Sequence, residues 1–374
     1  MKIAQVCPRF PPYIGGIETH VREISERLVE RGFELEVLSC DPSGKLPKEE
    51  VINNVRVVRF RSWAPSEAYY FSRELKKYLT KNSAKFDVVH AHSYHAFPAL
   101  YCAQTKSRNM LVLTPHYLGR GQTFFRNVLH VPYKFVAKKI FERSDKVICV
   151  SRYEKDLVMN RFNLRQDKVV VIPNGINTDE LSRYKWRPKF PHPRITYSGR
   201  LERYQKNVDK LVQAFKILVN EYGVNAQLLI IGTGPYEKRL RRLIDKLGLQ
   251  NLVILKHSLH REAYLEEIAS SNVFVLPSEH ECYGIVAAES IVMGVPTVVA
   301  NSTALSEFVK NGLAFGIDTP ITPQRIASTL YETLSRPQTT KNCSFKDKLL
   351  SWDQVVNQVE QLYLKLQSLK VADN

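Results

Sequence analysis

No apolar run in the 374 residues approaches the roughly 18 that a membrane-spanning helix needs. The longest runs, such as Val292 to Ala300, carry Gly and Pro inside them. Spanning helices are therefore not expected. Cysteine is also scarce: the six residues at 7, 40, 102, 149, 282 and 343 include no close pair of metal-ligand spacing and form no dense framework. That excludes a disulfide scaffold and points to free thiols in a reducing compartment. The three-glycine dinucleotide pattern is missing, and no acidic residue is obviously placed for a ribose after the first glycine pair, which argues against a nicotinamide enzyme. The first residues, Met1 to Val6, have one charge and read as a buried strand rather than a signal peptide, so a cytoplasmic location is expected.

What remains is an ordinary globular chain. Hydrophobic residues at 44% and charged residues at 24% leave no room for general disorder, and the length suits about two domains, each able to bury a core. The net charge of +17 is uneven, with 32 Lys and Arg against 19 Asp and Glu in residues 1–187 and 22 against 18 in 188–374. Between Asp87 and Glu142 there is no carboxylate, while Lys106, Arg108, Arg120, Arg126, Lys134, Lys138 and Lys139 fall among Tyr117, Phe124, Phe125, Tyr133, Phe135 and Phe141. Nucleic acid, an anionic membrane surface or a phosphorylated substrate would fit such a surface, and so would a merely solvated basic face. Residues 124–143 suggest an amphipathic helix interrupted at Pro132, packed on its own sheet or lying on a membrane.

Short β-branched runs alternate with helical ones. Ile3–Cys7, Glu34–Ser39, Val55–Phe60, Val88–His92, Leu111–Thr114, Lys146–Val150 and Val169–Ile172 read as strands. Ile17, Val21, Ile24 and Leu28 give the first helix one apolar stripe, which Gly32 ends. This rhythm predicts a parallel, doubly wound sheet. Three prolines at 188, 191 and 193 suggest a stiff connector, a domain boundary after Arg187 and a hinge. Beyond it the pattern restarts, with strands at Arg194–Ser198, Gln227–Gly232, Leu252–Lys256, Val273–Pro277, Pro296–Ala300 and Leu313–Ile317. The expectation is an N-terminal domain 1–187, a C-terminal domain 188–345 and a last helix within 346–374. That helix carries Val355, Val356, Val359, Leu362, Tyr363 and Leu366 on one side and has the first domain as its candidate partner. Two such domains would place their ligand crevices at the carboxyl ends of both sheets, facing each other across a cleft.

Four local features carry chemistry. Gly15 and Gly16 open the first helix, where backbone amides can meet a phosphate or sugar, although a glycine turn alone would read the same way. Arg200 and Lys206 stand at a strand-to-helix turn and suit a diphosphate, unless they are solvated loop cations. Glu281 and Glu289 lie eight positions apart across another such turn. If that helix starts near Tyr283, Glu289 suits the two hydroxyls of a ribose and Glu281 faces a sugar, with the amides of Cys282, Tyr283, Gly284 and Ile285 toward phosphate oxygens. His90, His92 and His95 show no metal-ligand partner set and are expected to line or support the crevice.

Taken in order, Gly15-Gly16 with His20-Val21, Asp87 to His92, Ile172-Pro173-Asn174-Gly175-Ile176, Gly199-Arg200-Leu201 with Lys206, Ile231-Gly232-Thr233-Gly234-Pro235 and the paired glutamates resemble family 4 of the retaining glycosyltransferases over about 300 residues. The resemblance implies a GT-B fold of two Rossmann-like domains, a nucleotide-sugar donor held mainly by the second, an acceptor held by the first, and no cofactor or metal. Consistent with the last point, no Asp-x-Asp occurs. It also implies catalytic roles for Arg200, Lys206, Glu281 and His116, and donor contacts from Gly16, Gly234, Cys282, Tyr283, Gly284, Ile285 and Glu289. The stretch Asn301 to Glu307 lacks the glycine pair usual there, and Cys282 replaces a small residue, leaving Glu307 a secondary candidate. A lipid-linked or otherwise anionic acceptor, at the cytoplasmic membrane face, would explain the basic first domain. An epimerase or phosphorylase of the same fold, and a nucleic-acid-binding protein, are the competing readings; nucleic acid would leave the glutamates beside Arg200 and Lys206 unexplained.

Overall fold

The computed structural model describes residues 1–65, 68–119, 133, 136–336 and 348–372. The chain divides into two compact units, Met1–Gly175 with Leu350–Asn374, and Ile176–Leu349.

In the first unit, eight strands among the described residues form one sheet. They are β1 (Lys2–Cys7), β2 (Glu34–Asp41), β3 (Glu49–Ile52), β4 (Val55–Arg61), β5 (Val88–His92), β6 (Met110–Thr114), β7 (Lys146–Cys149) and β8 (Val169–Val171). Their order is β3-β4-β2-β1-β5-β6-β7-β8, and every neighbouring pair is parallel except β3 with β4. Alternate residues of β1 feed opposite faces, as a pleated strand must. Ala4 and Val6 join Leu100, Phe141 and Phe162 on one side, while Ile3 and Cys7 join Val21, Ile24 and Leu28 on the other. The helix Trp352–Ala372 belongs to that second face. Val355, Val356, Val359, Tyr363 and Leu366 pack with the first helix, Gly16–Glu30, and Arg31 pairs with Glu360 at 2.7 Å.

The second unit holds β9 (Arg194–Ser198), β10 (Gln227–Ile231), β11 (Val253–Lys256), β12 (Val273–Leu276), β13 (Thr297–Ala300) and β14 (Phe315–Ile317). Their order is β11-β10-β9-β12-β13-β14, all parallel. Strand order reverses between β9 and β12 here, and between β1 and β5 in the first unit. Ligands of open α/β sheets bind beyond the carboxyl ends of the strands at such a reversal.

Two expectations need correction. The boundary falls after Gly175, not Arg187, because the intervening segment is hydrogen-bonded into the second unit: Trp186 donates its backbone N–H to Met293 O and its indole N–H to Ser271 O, and Arg187 donates to Ala269 O. The proline stretch is fastened as well, through Lys189 N to Ser270 O and the Arg194 guanidinium 3.2 Å from the Phe190 ring centre. The second correction is an added strand, β3. Asn53 and Asn54 both adopt positive φ, 48° and 64°, and join Ile52 to Val55 in a two-residue hairpin. Two left-handed residues are what a type I′ turn requires, and Asn tolerates them. Much of the expected helix 124–143, together with Arg120, Arg126, Lys134, Phe124, Phe125 and Phe135, lies outside the described residues. Of the aromatics that are described, Tyr117, Tyr133 and Phe141 are buried core, and Tyr133 donates its hydroxyl to Tyr94 O at 2.7 Å. Lys106 pairs with Asp145 and Lys138 with Glu142. Among the described residues, no helix is long and apolar enough to cross a membrane.

Candidate active site

The loop after β9 and the loop after β12 converge at the reversal of the second sheet. Asn207 ties them together: its side-chain amide donates to Pro277 O and to Glu279 Oε2, both at 2.9 Å, and Glu279 N donates to Gln205 O. Asn207 itself is left-handed, φ 50°, which turns the chain into the helix Val208–Asn220. This bracing brings Lys206 Nζ to 2.5 Å from Glu281 Oε1. Both side chains retain partial exposure, 19% and 16%, so the pair is sheltered yet reachable. Arg200 points elsewhere, with its Nε 2.9 Å from Glu202 Oε1 and its side chain 44% exposed.

Beyond Glu281 the chain enters the helix Ile285–Val292, two residues later than a start at Tyr283. Gly284 is the N-cap, at φ 98°, and a Cβ there would lie 2.5 Å from Leu305 Cδ2. Glycine is required by both backbone and space, and with no side chain capping this terminus the helix presents its amides and positive dipole end. Cys282 is partly exposed and in no disulfide, while Tyr283 is buried edge-on against Phe308. Thr303 Oγ1 accepts from Glu281 N at 3.3 Å, and Glu281 O accepts from Ala304 N. The loop that lacks its glycine pair therefore still holds the Glu281 backbone, with Thr303 taking positive φ, 49°.

Glu289, one turn further along the helix, is 7% exposed. Its Oε1 lies 2.7 Å from an Arg261 guanidinium nitrogen, and Tyr264 donates its hydroxyl to Oε2 at 3.2 Å. Arg261 is itself gripped by both oxygens of Glu180. Burial pushes the Glu289 carboxyl up, with Arg261 and Tyr264 holding the rise in check. A carboxylate accepts about four hydrogen bonds, so these two partners leave about two lone-pair positions for a diol.

Gly232 and Gly234 have a packing reason. A Cβ at Gly232 would lie 2.0 Å from Gly199 O, and one at Gly234 would lie 2.4 Å from Leu201 O. Bare glycines let the loops after β9 and β10 touch, which sets the path of Arg200.

At the same end of the first sheet, Gly16 opens the first helix with nothing within 4 Å of an added Cβ. Its neighbour Gly15 lies beneath the buried Glu18 carboxylate, which Arg9 holds at 2.8 Å. His116, two residues past β6, adopts φ 48°. A left-handed histidine carries roughly 1 kcal/mol or more of strain and marks a place held by its surroundings. It lies beside His20 and His92, with ring centres 5.2 and 6.1 Å away. His20 in turn bonds Asn174 at 2.7 Å, and Gly175 makes room for the Trp352 backbone, where a Cβ would be 2.6 Å from Cα. His90 lies deeper, between Tyr363 OH and Thr114 Oγ1.

Arg261, Tyr264, Asn207 and Thr303 were not foreseen. Only Asn207, a polar residue just before a helix, carries a local signal.

Residues 14–180 match the family model described as Glycosyltransferase Family 4, and residues 180–348 match Glycosyl transferases group 1. An uncharacterised glycosyltransferase of Methanocaldococcus jannaschii is 30% identical, aligned over 97% of this chain and 98% of its own. The structure of sucrose-phosphate synthase from Thermosynechococcus elongatus superposes with a TM-score of 0.81 at 20% identity, covering 98% of this chain and 100% of that one. Anabaena HepE in complex with UDP-glucose superposes with a TM-score of 0.76 at 17% identity, covering 97% and 99%. At those identities the structural likeness speaks for the fold.

Proposed function

The chain belongs to glycosyltransferase family 4 and has the GT-B fold, and from that premise we propose that it transfers a hexose or N-acetylhexosamine from a nucleotide-sugar donor to an acceptor hydroxyl with retention of configuration, without a metal or other cofactor. The observation that carries this reading is the Lys206–Glu281 pair beside the uncapped helix start at Gly284, at the strand-order reversal.

In this reading the donor diphosphate takes its negative charge to the amides of Cys282, Tyr283, Gly284 and Ile285 and to Lys206 and Arg200. Lys206 turns from Glu281 toward the phosphate, which frees Glu281 to accept from hydroxyls of the transferred sugar or to face positive charge at its anomeric carbon. Glu289 receives the ribose hydroxyls on the lone pairs that Arg261 and Tyr264 leave. Gly234 acts through its close packing on Leu201.

The acceptor oxygen forms its bond to the anomeric carbon on the face from which the diphosphate departs. As the carbon–oxygen bond to phosphate breaks, a leaving phosphate oxygen takes the acceptor proton, so charge and protons balance without a protein base. The positive excess in residues 1–187 supports an anionic, lipid-linked acceptor met at the cytoplasmic membrane face. The likeness to a UDP-glucose complex makes UDP-glucose the first donor to try.

The test is release of nucleoside diphosphate from a panel of nucleotide sugars, with the product anomer read by NMR. Lys206→Ala is expected to lower kcat about 10²–10³-fold while keeping its fold, the loss seen when one donor to a developing negative charge is removed. Unchanged turnover would take Lys206 out of this role, and an inverted product would refute the same-face reaction.

A further inference from the structure

We infer that the basic hollow at the amino ends of β6, β7 and β8, inside the first unit, is a binding site for a dianionic phosphate monoester. The hollow has a volume of about 600 Å³, and its lining of charged residues and two serines includes Lys106, Arg143, Lys146 and Lys168. Most small-molecule pockets of that size are lined by apolar side chains. This one has no apolar residue in its lining, so an occupant must be recognised by charge and hydrogen bonds. Lys146 stands at the first position of β7, a strand of four residues and about 13 Å in length, which separates the hollow from the carboxyl ends of the sheet. The donor residues Lys206, Glu281 and Glu289 have no part in it.

The carboxylates of the hollow are already matched. Asp145 meets Lys106 at 2.7 Å, Asp167 meets Arg165 at 2.8 Å, and Glu142 meets Lys138 at 3.6 Å. Among the described residues, Arg143, Lys146 and Lys168 have no carboxylate within ion-pair distance. What they reach instead are backbone carbonyls: Lys168 Nζ donates to Glu142 O at 2.8 Å, Lys146 Nζ donates to Asp167 O, and Arg143 only grazes Lys106 O at 3.5 Å. Lys106 and Lys168 thereby cap the helix that ends at Arg143. Capping does not exhaust them, because an ammonium carries three donors and a guanidinium five. Three cations remain in excess, and they repel one another. The Lys168 ammonium is held below the ordinary lysine range, first by burial and then by the Lys106 charge, against the pull of Asp145, Glu142 and Asp167. An anion among these groups offsets that repulsion.

Phosphate suits this donor set better than other anions. Arg143 offers a planar fork for two oxygens, and the lysines supply point charges. A dianion also matches the surplus of cations more closely than a carboxylate does. A long polyanion such as nucleic acid would have to run past Glu142, Asp145 and Asp167 in the same hollow. A soluble phosphorylated metabolite and the headgroup of a lipid such as phosphatidate carry the same chemistry, and experiment separates the two sources.

The experiment titrates the full chain with inorganic phosphate and with glycerol 3-phosphate by calorimetry, and mixes it with vesicles of phosphatidylcholine alone or with added phosphatidate. One equivalent of glycerol 3-phosphate per chain is expected, with affinity falling as pH drops through about 6, where the monoester gains a proton. Arg143→Gln should weaken binding about 10–100-fold, the loss of a hydrogen bond between charged groups, and adding Lys146→Gln should abolish it. Arg143 is exposed, so the single variant decides should the double variant fail to fold. Lys206→Ala should leave binding unchanged, which separates this site from that of the donor diphosphate. Binding in solution without retention on vesicles assigns a phosphorylated metabolite, and retention on phosphatidate vesicles that Arg143→Gln reduces assigns the headgroup. The assignment is overturned by folded wild type that shows neither saturable binding of the two probes nor phosphatidate-dependent retention, by binding unchanged in Arg143→Gln, or by binding lost in Lys206→Ala.

Discussion

Raising the pH from 5 to 8 should destabilise the first unit through one buried carboxyl, Glu154. This residue lies in the first turn of the helix Arg152–Phe162 in a Ser-x-x-Glu arrangement, and Ser151 Oγ accepts from Glu154 N as a capping box prescribes. Its carboxylate does not close the box. It accepts from Val150 N at 2.7 Å and from Tyr117 N at 2.5 Å, holding the loop after β6 against the loop after β7. Two amide donors and a helix N-terminus favour the charged form, but Glu154 is fully buried and burial outweighs them, pushing the carboxyl up to about 7.

The sign follows from the raised value. Stability from this group is fully present below the unfolded pKa, near 4.5, and is lost as pH rises through about 7. A gap of about 2.5 units at 1.36 kcal/mol each amounts to about 3.4 kcal/mol in full, of which about 2.5 kcal/mol falls between pH 5 and 8. Other groups titrate in that range, so the informative quantity is the difference between wild type and Glu154→Gln. The variant has one acceptor oxygen for two amides and should lose about 1–3 kcal/mol at pH 5. By pH 8 that deficit should have shrunk by about 2.5 kcal/mol. Urea unfolding followed by Trp352 fluorescence, in a background with Trp63→Phe and Trp186→Phe, reports on the first unit, because Trp352 is buried there. Parallel pH profiles for the two proteins, or a Glu154 carboxyl that titrates below 4.5 by NMR, would refute the reasoning.

Gly284→Ala puts a side chain at φ 98° and 2.5 Å from Leu305, so it should cost about 1–3 kcal/mol in thermal unfolding and weaken nucleotide binding together. Tyr363→Phe removes the hydroxyl that meets His90 Nδ1 at 2.6 Å and Gln5 Nε2 at 3.3 Å; a loss of about 1–3 kcal/mol in urea unfolding is expected, and none would deny that the last helix is keyed into the first unit. For Glu289→Ala, thermal shift against UDP, GDP, ADP and their sugar derivatives is the measurement. A ligand at about 100 times its Kd adds about 2.7 kcal/mol to the wild type, and a shift of equal size in the variant would remove Glu289 from the ribose role.

What could be read in advance, and what could not, follows from where the determining contacts lie. The strands of both sheets announced themselves because parallel strands buried on both faces need runs such as Val88-Val89 and Leu228-Leu229-Ile230-Ile231, a purely local requirement. The β3–β4 hairpin was missed, although its turn carries a local signal in Asn53-Asn54 between apolar Ile52 and Val55. The unit boundary was not legible. Three prolines describe how stiff a segment is, whereas membership depends on partners such as Met293 and Ala269, far away in sequence. The site divides along the same line. Lys206 and Glu281 were each visible as a charged residue at a strand-to-helix turn, but their pairing across 75 residues exists because β9 and β12 are neighbours in the sheet. Arg261 and Tyr264, which clamp Glu289, sit on a helix with no motif, and His20, His92 and His116 meet only because β1, β5 and β6 are adjacent. Local sequence thus marks the ends of elements, and strand order decides which ends become one site. For a doubly wound chain, the informative unit is therefore the set of residues just past the carboxyl ends of the strands flanking a reversal, taken together.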